Sequence, residues 1–347
     1  RDATMDRLER CARSLLGSKL CAVQAGEGHA DGELKLVAVQ GATAGTALLY
    51  KHRAVGAVVQ QEAATLRCAA CYEEASRLRV CSACKRERYC SSACQRAAWK
   101  VHRHECPLVA RLHASAAAHA HEDDRMQALD SMRLAARVLA RVAAGEPEAW
   151  RQLWTNEAAL RASSQGQSLV LAGAFLAEAA AAAGLGLSAA GLGLSAADAC
   201  SLLAAIKSNA FVTSDAHGHP VAAALFLAPA LLNHSCRPSA AASFTHARSG
   251  VAVSVRALAD MAAGEEATLC YLDPALPLCA RQRMLAGGFL FQCRCPRCAA
   301  ELADVGGACH APEAPAPAAA LQCRACLAHV GVPAAAIAAA EAALADG

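Results

Sequence analysis

The stretch CAACYEEASRLRVCSACKRERYCSSACQRAAWKVHRHEC, residues 68–106, decides how the chain is read. Eight residues in it, Cys68, Cys71, Cys81, Cys84, Cys90, Cys94, His102 and Cys106, follow the order C-x2-C, C-x2-C, C-x3-C, H-x3-C. Each close pair offers two ligands from neighbouring backbone, and four pairs complete two tetrahedral zinc sites. Disulfides are the competing explanation. The chain has 347 residues and 19 Cys, too long for a small stapled scaffold, and it opens without an apolar leader. The pattern therefore points to zinc in a reducing compartment, the cytoplasm or nucleus. The first residue is Arg, which reads as a chain whose original start is missing.

This length accommodates two or three domains with a sizeable core. The formal net charge is +3, but eleven zinc-bound thiolates subtract eleven and three Zn2+ add six, leaving −2. Charge therefore gives no argument for a specific nucleic-acid partner. The local basic run Lys85, Arg86, Arg88, Arg96, Lys100 and Arg103 reads as an offset to the thiolates. Residues 179–197 carry no charge, yet they are Ala, Gly, Leu and Ser, which contribute too little transfer energy for a membrane span. The tandem GLGLSAA at 184–190 and 191–197 reads as a duplicated insertion in a surface connection.

Before the zinc segment, 33–40 and 46–50 read as short strands punctuated by Gly41 and Gly45. After it, 108–162 has helical spacing interrupted by Gly145 to Pro147, and 168–182 and 196–207 are further helices. From 211 the texture becomes that of strands, at 221–227, 240–245, 250–257 and 267–271, followed by a helix at 278–291. An Ala/Pro/Gly-rich stretch after Cys298 leads to an Ala-rich helix at 333–345, a tail that reads as truncated.

Three strings in the second half carry chemistry: NHSCRP from Asn233, GEEATLCYLD from Gly264, and Cys293-x-Cys295-x2-Cys298. The last leaves a tetrahedral zinc one ligand short, and Cys236, set among polar residues, is the candidate fourth. Cys323-x2-Cys326 with Cys309 and His310 is a looser candidate for a further zinc.

NHSCxP, then GEExxxxYxD, then CxCxxC resemble the SET-domain lysine methyltransferases. Residues 68–106, with Trp99 three residues before His102, resemble a MYND finger. Together they resemble the SET and MYND domain (SMYD) family. The resemblance implies an α+β fold: a SET-domain β-fold of small sheets with a threaded knot, interrupted by the finger, then a post-SET zinc knuckle and a helical tail. It implies six regions: 1–66 as the N-terminal part of the SET domain, 67–107 as the finger, 108–210 as helical linker and SET insertion, 211–291 as the C-terminal catalytic part, 292–300 as the knuckle, and 301–347 as linker and start of the tail.

It also implies roles. Asn233, His234 and Asn209 contact S-adenosylmethionine, Phe291 packs on its adenine, and Tyr271 lies beside the transferring methyl group as the catalytic residue. The finger ligands interleave, Cys68 and Cys71 with Cys90 and Cys94, and Cys81 and Cys84 with His102 and Cys106. The implied cofactors are S-adenosylmethionine and three Zn2+. The implied partners are a protein lysine substrate and a proline-rich peptide at the finger. The sequence departs from the family where a G-x-G is usual: the stretch from Gly32 to Ala38 lacks it, and Gly26 and Gly28 supply one only through a rearranged loop. Ser239 stands where Asn is usual, and aromatic residues are only 4% of the chain, thin for a lysine channel. A non-catalytic SET/MYND adaptor that binds peptides through the finger is therefore the alternative. A RING-type ligase is excluded by ligand order, since its His is central.

Overall fold

Short alternating strands form the framework, and their pairing order joins the early part of the chain to the late part. The computed structural model describes residues 21–25, 34–116, 122–185 and 193–304. Outside them lie the Gly26-x-Gly28 and Gly32 positions, the middle of the GLGLSAA duplication, and Cys309, His310, Cys323 and Cys326 with the rest of the tail.

β1 (Cys21–Ala25), β2 (Leu34–Ala38), β3 (Ala47–Arg53) and β4 (Gly56–Val59) precede the zinc segment, which adds a small hairpin, β5 (Arg79–Val80) and β6 (Arg88–Tyr89). Helices follow: α1 (Ser92–Ala116), α2 (Glu122–Ala143), α3 (Glu157–Ala162), α4 (Gly166–Ala182) and α5 (Ala196–Asn209). Then come β7 (Ala210–Ser214), β8 (Pro220–Leu225), β9 (Asn233–His234), β10 (Ala240–Ala247), β11 (Gly250–Ala257) and β12 (Thr268–Leu269), and finally α6 (Leu278–Phe289) and α7 (Pro296–Asp304).

β3 closes a sheet in the order β10-β11-β3, and β4 one in the order β4-β8-β7. β11 alternates buried Val251, Val253 and Val255 with more exposed positions, as a strand with one covered face should. β2 is bonded to the segment before β12: Ala38 N–H donates to Glu265 O at 2.9 Å and Ala267 N–H to Leu36 O at 2.8 Å. Gly264, at φ +81°, turns the chain just before Glu265 in a conformation that favours glycine. β9 and β12 pair parallel, setting Thr268 opposite Asn233 and Leu269 opposite His234. Two of the sequence motifs are thus neighbouring strands.

The core has two large parts. Leu36, Leu48, Phe226, Val253 and Leu269 fill the space between the sheets. Leu108, Leu134, Leu139, Leu176, Leu202 and Ile206 fill the space between helices, joined by Val58 and Leu225 from the β4-β8-β7 sheet.

The structure differs from the sequence expectations at three boundaries. Helix begins at Ser92, inside the zinc segment, and α1 runs on through Pro107. His102-x3-Cys106 is one helical turn, so their spacing puts both ligands on one face. Extended chain at 267–271 contributes only Thr268 and Leu269 to a ladder. The ends of the duplicated stretch are anchored rather than loose: Leu185 is buried, and Ser195 caps α5 by accepting the Asp198 N–H at 3.0 Å.

α4 and α5 approach closely at Gly173, where an added Cβ would lie 2.2 Å from Cys200 Sγ and 3.0 Å from its backbone nitrogen. Gly173→Ala should therefore destabilise the helical half by about 1–3 kcal/mol. A denaturant midpoint shifted down checks this; an unchanged or higher midpoint would mean the helices have room to part.

Candidate metal centres and the cluster around Tyr271

Zinc with thiolate ligands at about 2.3 Å requires ligand atoms about 3.8 Å apart along each tetrahedron edge. The structure gathers three groups of that kind, each with its ligand atoms within 4.8 Å of one another: Cys68, Cys71, Cys90, Cys94; Cys81, Cys84, His102, Cys106; and Cys236, Cys293, Cys295, Cys298. Cys71 to Cys90 is 3.8 Å, Cys81 to Cys106 3.9 Å, Cys84 Sγ to His102 Nε2 3.6 Å, and Cys236 is 4.0 Å from Cys293 and 3.5 Å from Cys298. These separations exceed any S–S bond and match tetrahedral edges. The three clusters fit three zinc ions. In the finger the first site draws its ligands from 68–71 and 90–94, the second from 81–84 and 102–106, so the two loops are cross-braced.

Local electrostatics favour a thiolate at one ligand of each finger site, Cys81 and Cys94, while burial pushes Cys71 and Cys106 up to about 12. Burial pushes Cys81 up, but hydrogen bonds from the Cys84 amide and from His102 outweigh it and hold the thiol at about 7. Burial also opposes ionisation of Cys94, and Ser91, Cys90 and Arg248 bring it to about 7. Arg248 comes from the turn between β10 and β11, a contact that the local basic run of the finger did not suggest.

The second finger site is continued outward by buried charges. With Nε2 toward Cys84, His102 directs Nδ1 at Glu105 Oε1, 3.0 Å away, the arrangement that fixes a metal-bound imidazole. Arg137 of α2 donates to both Glu105 oxygens, at 2.7 and 2.6 Å, and to Ala57 O of β4 at 3.0 Å. Arg133, one turn earlier, donates to Glu87 at 2.8 Å, to Val59 O at 2.7 Å and to Asp130 at 3.1 Å. Two arginines thus clamp the finger to helix and sheet. Burial alone would raise Glu105; Arg137 and His102 outweigh it and hold the carboxyl down at about 2.

The third cluster joins the NHSC strand to the segment after α6. Arg281, with 0% exposure, donates through Nε to Cys236 Sγ at 3.3 Å and pairs with Glu301. Arg297 reaches Cys236 O at 3.2 Å and Glu301 at 2.6 Å. Against this cluster lies a group of half-buried rings: His234 and Tyr271 at 5.2 Å, His234 and Phe291 at 5.9 Å, Tyr271 and Phe289 at 5.1 Å. The Tyr271 hydroxyl donates to Leu232 O at 2.6 Å. Asn233 Nδ2 donates to Glu266 Oε1 at 2.8 Å and Leu34 O at 3.3 Å. Ser239 laces the same strands, its Oγ donating to Glu266 O at 3.0 Å and accepting from Thr268 N–H at 2.9 Å.

His234, Tyr271 and Phe291 are therefore brought together, with Asn233 on the adjacent strand position. Asn209 sits at the end of α5, its Nδ2 committed to the carbonyls of Trp154 and Ala205 at 2.7 and 2.8 Å. Glu105, Arg133, Arg137 and Arg281 escaped sequence reasoning. The i,i+3 spacing of His102 and Glu105 was the available signal for the first; the arginines carry none until α2 and α6 are placed.

Residues 68–106 match the family model described as the MYND finger. The chain is similar to mouse "Histone-lysine N-methyltransferase SMYD3", 27% identical over 72% of this chain and 56% of that protein. It is similar to Arabidopsis thaliana "Histone-lysine N-methyltransferase ASHR1", 28% identical over 67% of this chain and 46% of the relative. It is also similar to Danio rerio "N-lysine methyltransferase SMYD2-B", 25% identical over 74% and 56%. The chain spans about half the length of the curated relatives it matches.

Glu105→Gln should leave Arg137 without its charge partner and speed loss of zinc from the Cys81 site to a chelator by roughly 10-fold or more. A carboxyl held at about 2 against an ordinary 4.5 stabilises the fold at neutral pH, and that contribution is lost as pH falls from about 4.5 through 2. The parent should lose stability more steeply than the variant across that window. Parallel acid-unfolding curves would contradict the assignment.

Proposed function

We propose that the chain is an S-adenosylmethionine-dependent protein-lysine N-methyltransferase with a SET-type fold, in which the NHSC segment and the segment of Tyr271 form the threaded crossing. The observation that carries this reading is the meeting of three separate motifs, Asn233–Cys236, Glu265–Tyr271 and Cys293–Cys298, around one metal cluster faced by rings. Similarity to named lysine methyltransferases over about 70% of the chain points the same way.

The half-buried rings of His234 and Phe291 offer flat apolar faces that suit an adenine. Asn233 and His234 hold the rest of the cofactor through their strand, and Asn209 contributes through its amide oxygen. When bound, S-adenosylmethionine supplies an electrophilic methyl group on a sulfonium. The substrate lysine must arrive neutral, which at neutral pH opposes a pKa of about 10.4 and costs roughly 4–5 kcal/mol; a desolvated channel lowers that pKa. Tyr271, its hydroxyl fixed on Leu232 O, narrows and orients that channel. The rate comes from positioning in a preorganised field, with no covalent enzyme intermediate. Zinc-bound thiolates suit a reducing compartment, which supports reading the work as cytoplasmic or nuclear. Among the described residues no helix is long and apolar enough to cross a membrane.

A peptide-binding adaptor is the second reading, favoured by Trp99, 45% exposed beside His102 on the finger, where an extended proline-rich segment would pack. Calorimetry separates the two. The methyltransferase reading expects heat on titration with S-adenosylmethionine, and Tyr271→Phe should lower kcat by roughly 10-fold or more with cofactor affinity kept. Absence of heat and of thermal shift at high cofactor concentration would leave the adaptor.

A further inference from the structure

Beyond β12 the chain leaves the sheet. Its last rung there is the Ser235 N–H donating to Leu269 O at 2.9 Å. Two residues later the Tyr271 N–H donates to a side chain instead, the Nδ1 of His234, at 3.0 Å. An accepting Nδ1 leaves the proton of the neutral imidazole on Nε2. Nε2 lies 3.2 Å from Cys236 Sγ, so it donates to that sulfur. One rigid ring therefore connects a metal-cluster thiolate to the backbone of Tyr271. Cys236 is itself immobilised from the far side by Arg281 Nε at 3.3 Å, a fully buried guanidinium.

We infer that His234 is a positioning residue: it transmits occupancy of the Cys236 cluster to the placement of Tyr271. Both ring nitrogens of the imidazole are thereby engaged, with Cys293 of the same cluster also within its reach, and none is left for a ligand. With metal bound, the sulfur stays a thiolate at a fixed point, the ring is held by it, and the Tyr271 amide is held by the ring. Without metal, Cys236 loses its ligand bond and keeps only hydrogen bonds such as that from Arg281, so the acceptor of that amide is held less firmly. The consequence for turnover rests on the role proposed above for Tyr271; the mechanical link does not.

Two substitutions divide the ring. Asn retains an acceptor near the place of Nδ1 and does not reach Cys236; Gln carries a donor near the place of Nε2 and offers nothing at Nδ1. The test is amide hydrogen exchange on the full chain, zinc-loaded and after graded chelation, with zinc release followed in parallel. Zinc-loaded His234→Gln should exchange the Tyr271 amide roughly 10-fold faster than the parent while retaining zinc. His234→Asn should keep that amide protected but release zinc of the Cys236 cluster faster. In the parent, losing that zinc should expose the Tyr271 amide, with the β10-β11 ladder still protected. Equal Tyr271 exchange in the parent and both variants, or parent protection indifferent to zinc, overturns the inference. If a His234 variant also loses the ladder, Cys295→Ser decides, because it weakens the metal without touching either hydrogen bond of His234. Faster Tyr271 exchange there supports the link, and unchanged exchange refutes it. No methyl transfer enters these measurements, so their failure and that of the proposed activity are read separately.

Discussion

Between residues 68 and 109 the chain buries Cys68, Cys81, Cys84, Cys94 and Cys106 with little apolar beside them except Tyr72, Tyr89, Leu108, Val109 and small alanines. Too little apolar surface is gathered there to oppose the conformational entropy of ordering such a segment. Metal–thiolate bonding is the interaction that replaces it, since ligand residues that would be poor core material become crosslinks once deprotonated and bound. The same holds at the Cys236 cluster, where the ligands pack with Leu278 and Leu285 into a small core joining α6 and α7 to the NHSC strand. Everything proposed for Tyr271 depends on that second kind of core, because the rings and strands around it are short and half-exposed.

Crosslinks alone do not orient a finger. Arg133 and Arg137 project from a single helix face into the gap between finger and sheet, and each satisfies both a finger carboxylate and a β4 carbonyl. A buried guanidinium is tolerable only with such extensive pairing, from which the Arg133 Nε is left out, and pairing of that kind makes its geometry hard to change. Arg67 adds a third tie, pairing with Asp215 of the β7–β8 turn at 2.8 Å. The finger is thus registered against the framework by charge, while its interior is held by ligation.

Much of this was legible in residue order. Paired Cys spacing announces ligand pairs because two ligands on adjacent backbone is a local geometric matter, and the missing fourth ligand of Cys293-x-Cys295-x2-Cys298 pointed to Cys236. The resemblance to the SMYD family, drawn from NHSC, GEExxxxYxD and the finger, is borne out by the comparisons. What was not legible is non-local. The start of α1 was hidden because Cys94, His102 and Cys106 serve as ligands and helix residues at once. Nothing in residue order marks Arg281, which only α6 places behind Cys236. The dual engagement of His234 needs the parallel pairing of β9 and β12, which no spacing encodes.

The account turns on metal content, and elemental analysis of the folded full chain addresses it most directly. It predicts at least three tightly held zinc ions per polypeptide, with Cys→Ser changes at Cys71, Cys84 and Cys295 each removing one. Fewer than three in folded protein, or these cysteines found joined as disulfides, would contradict it.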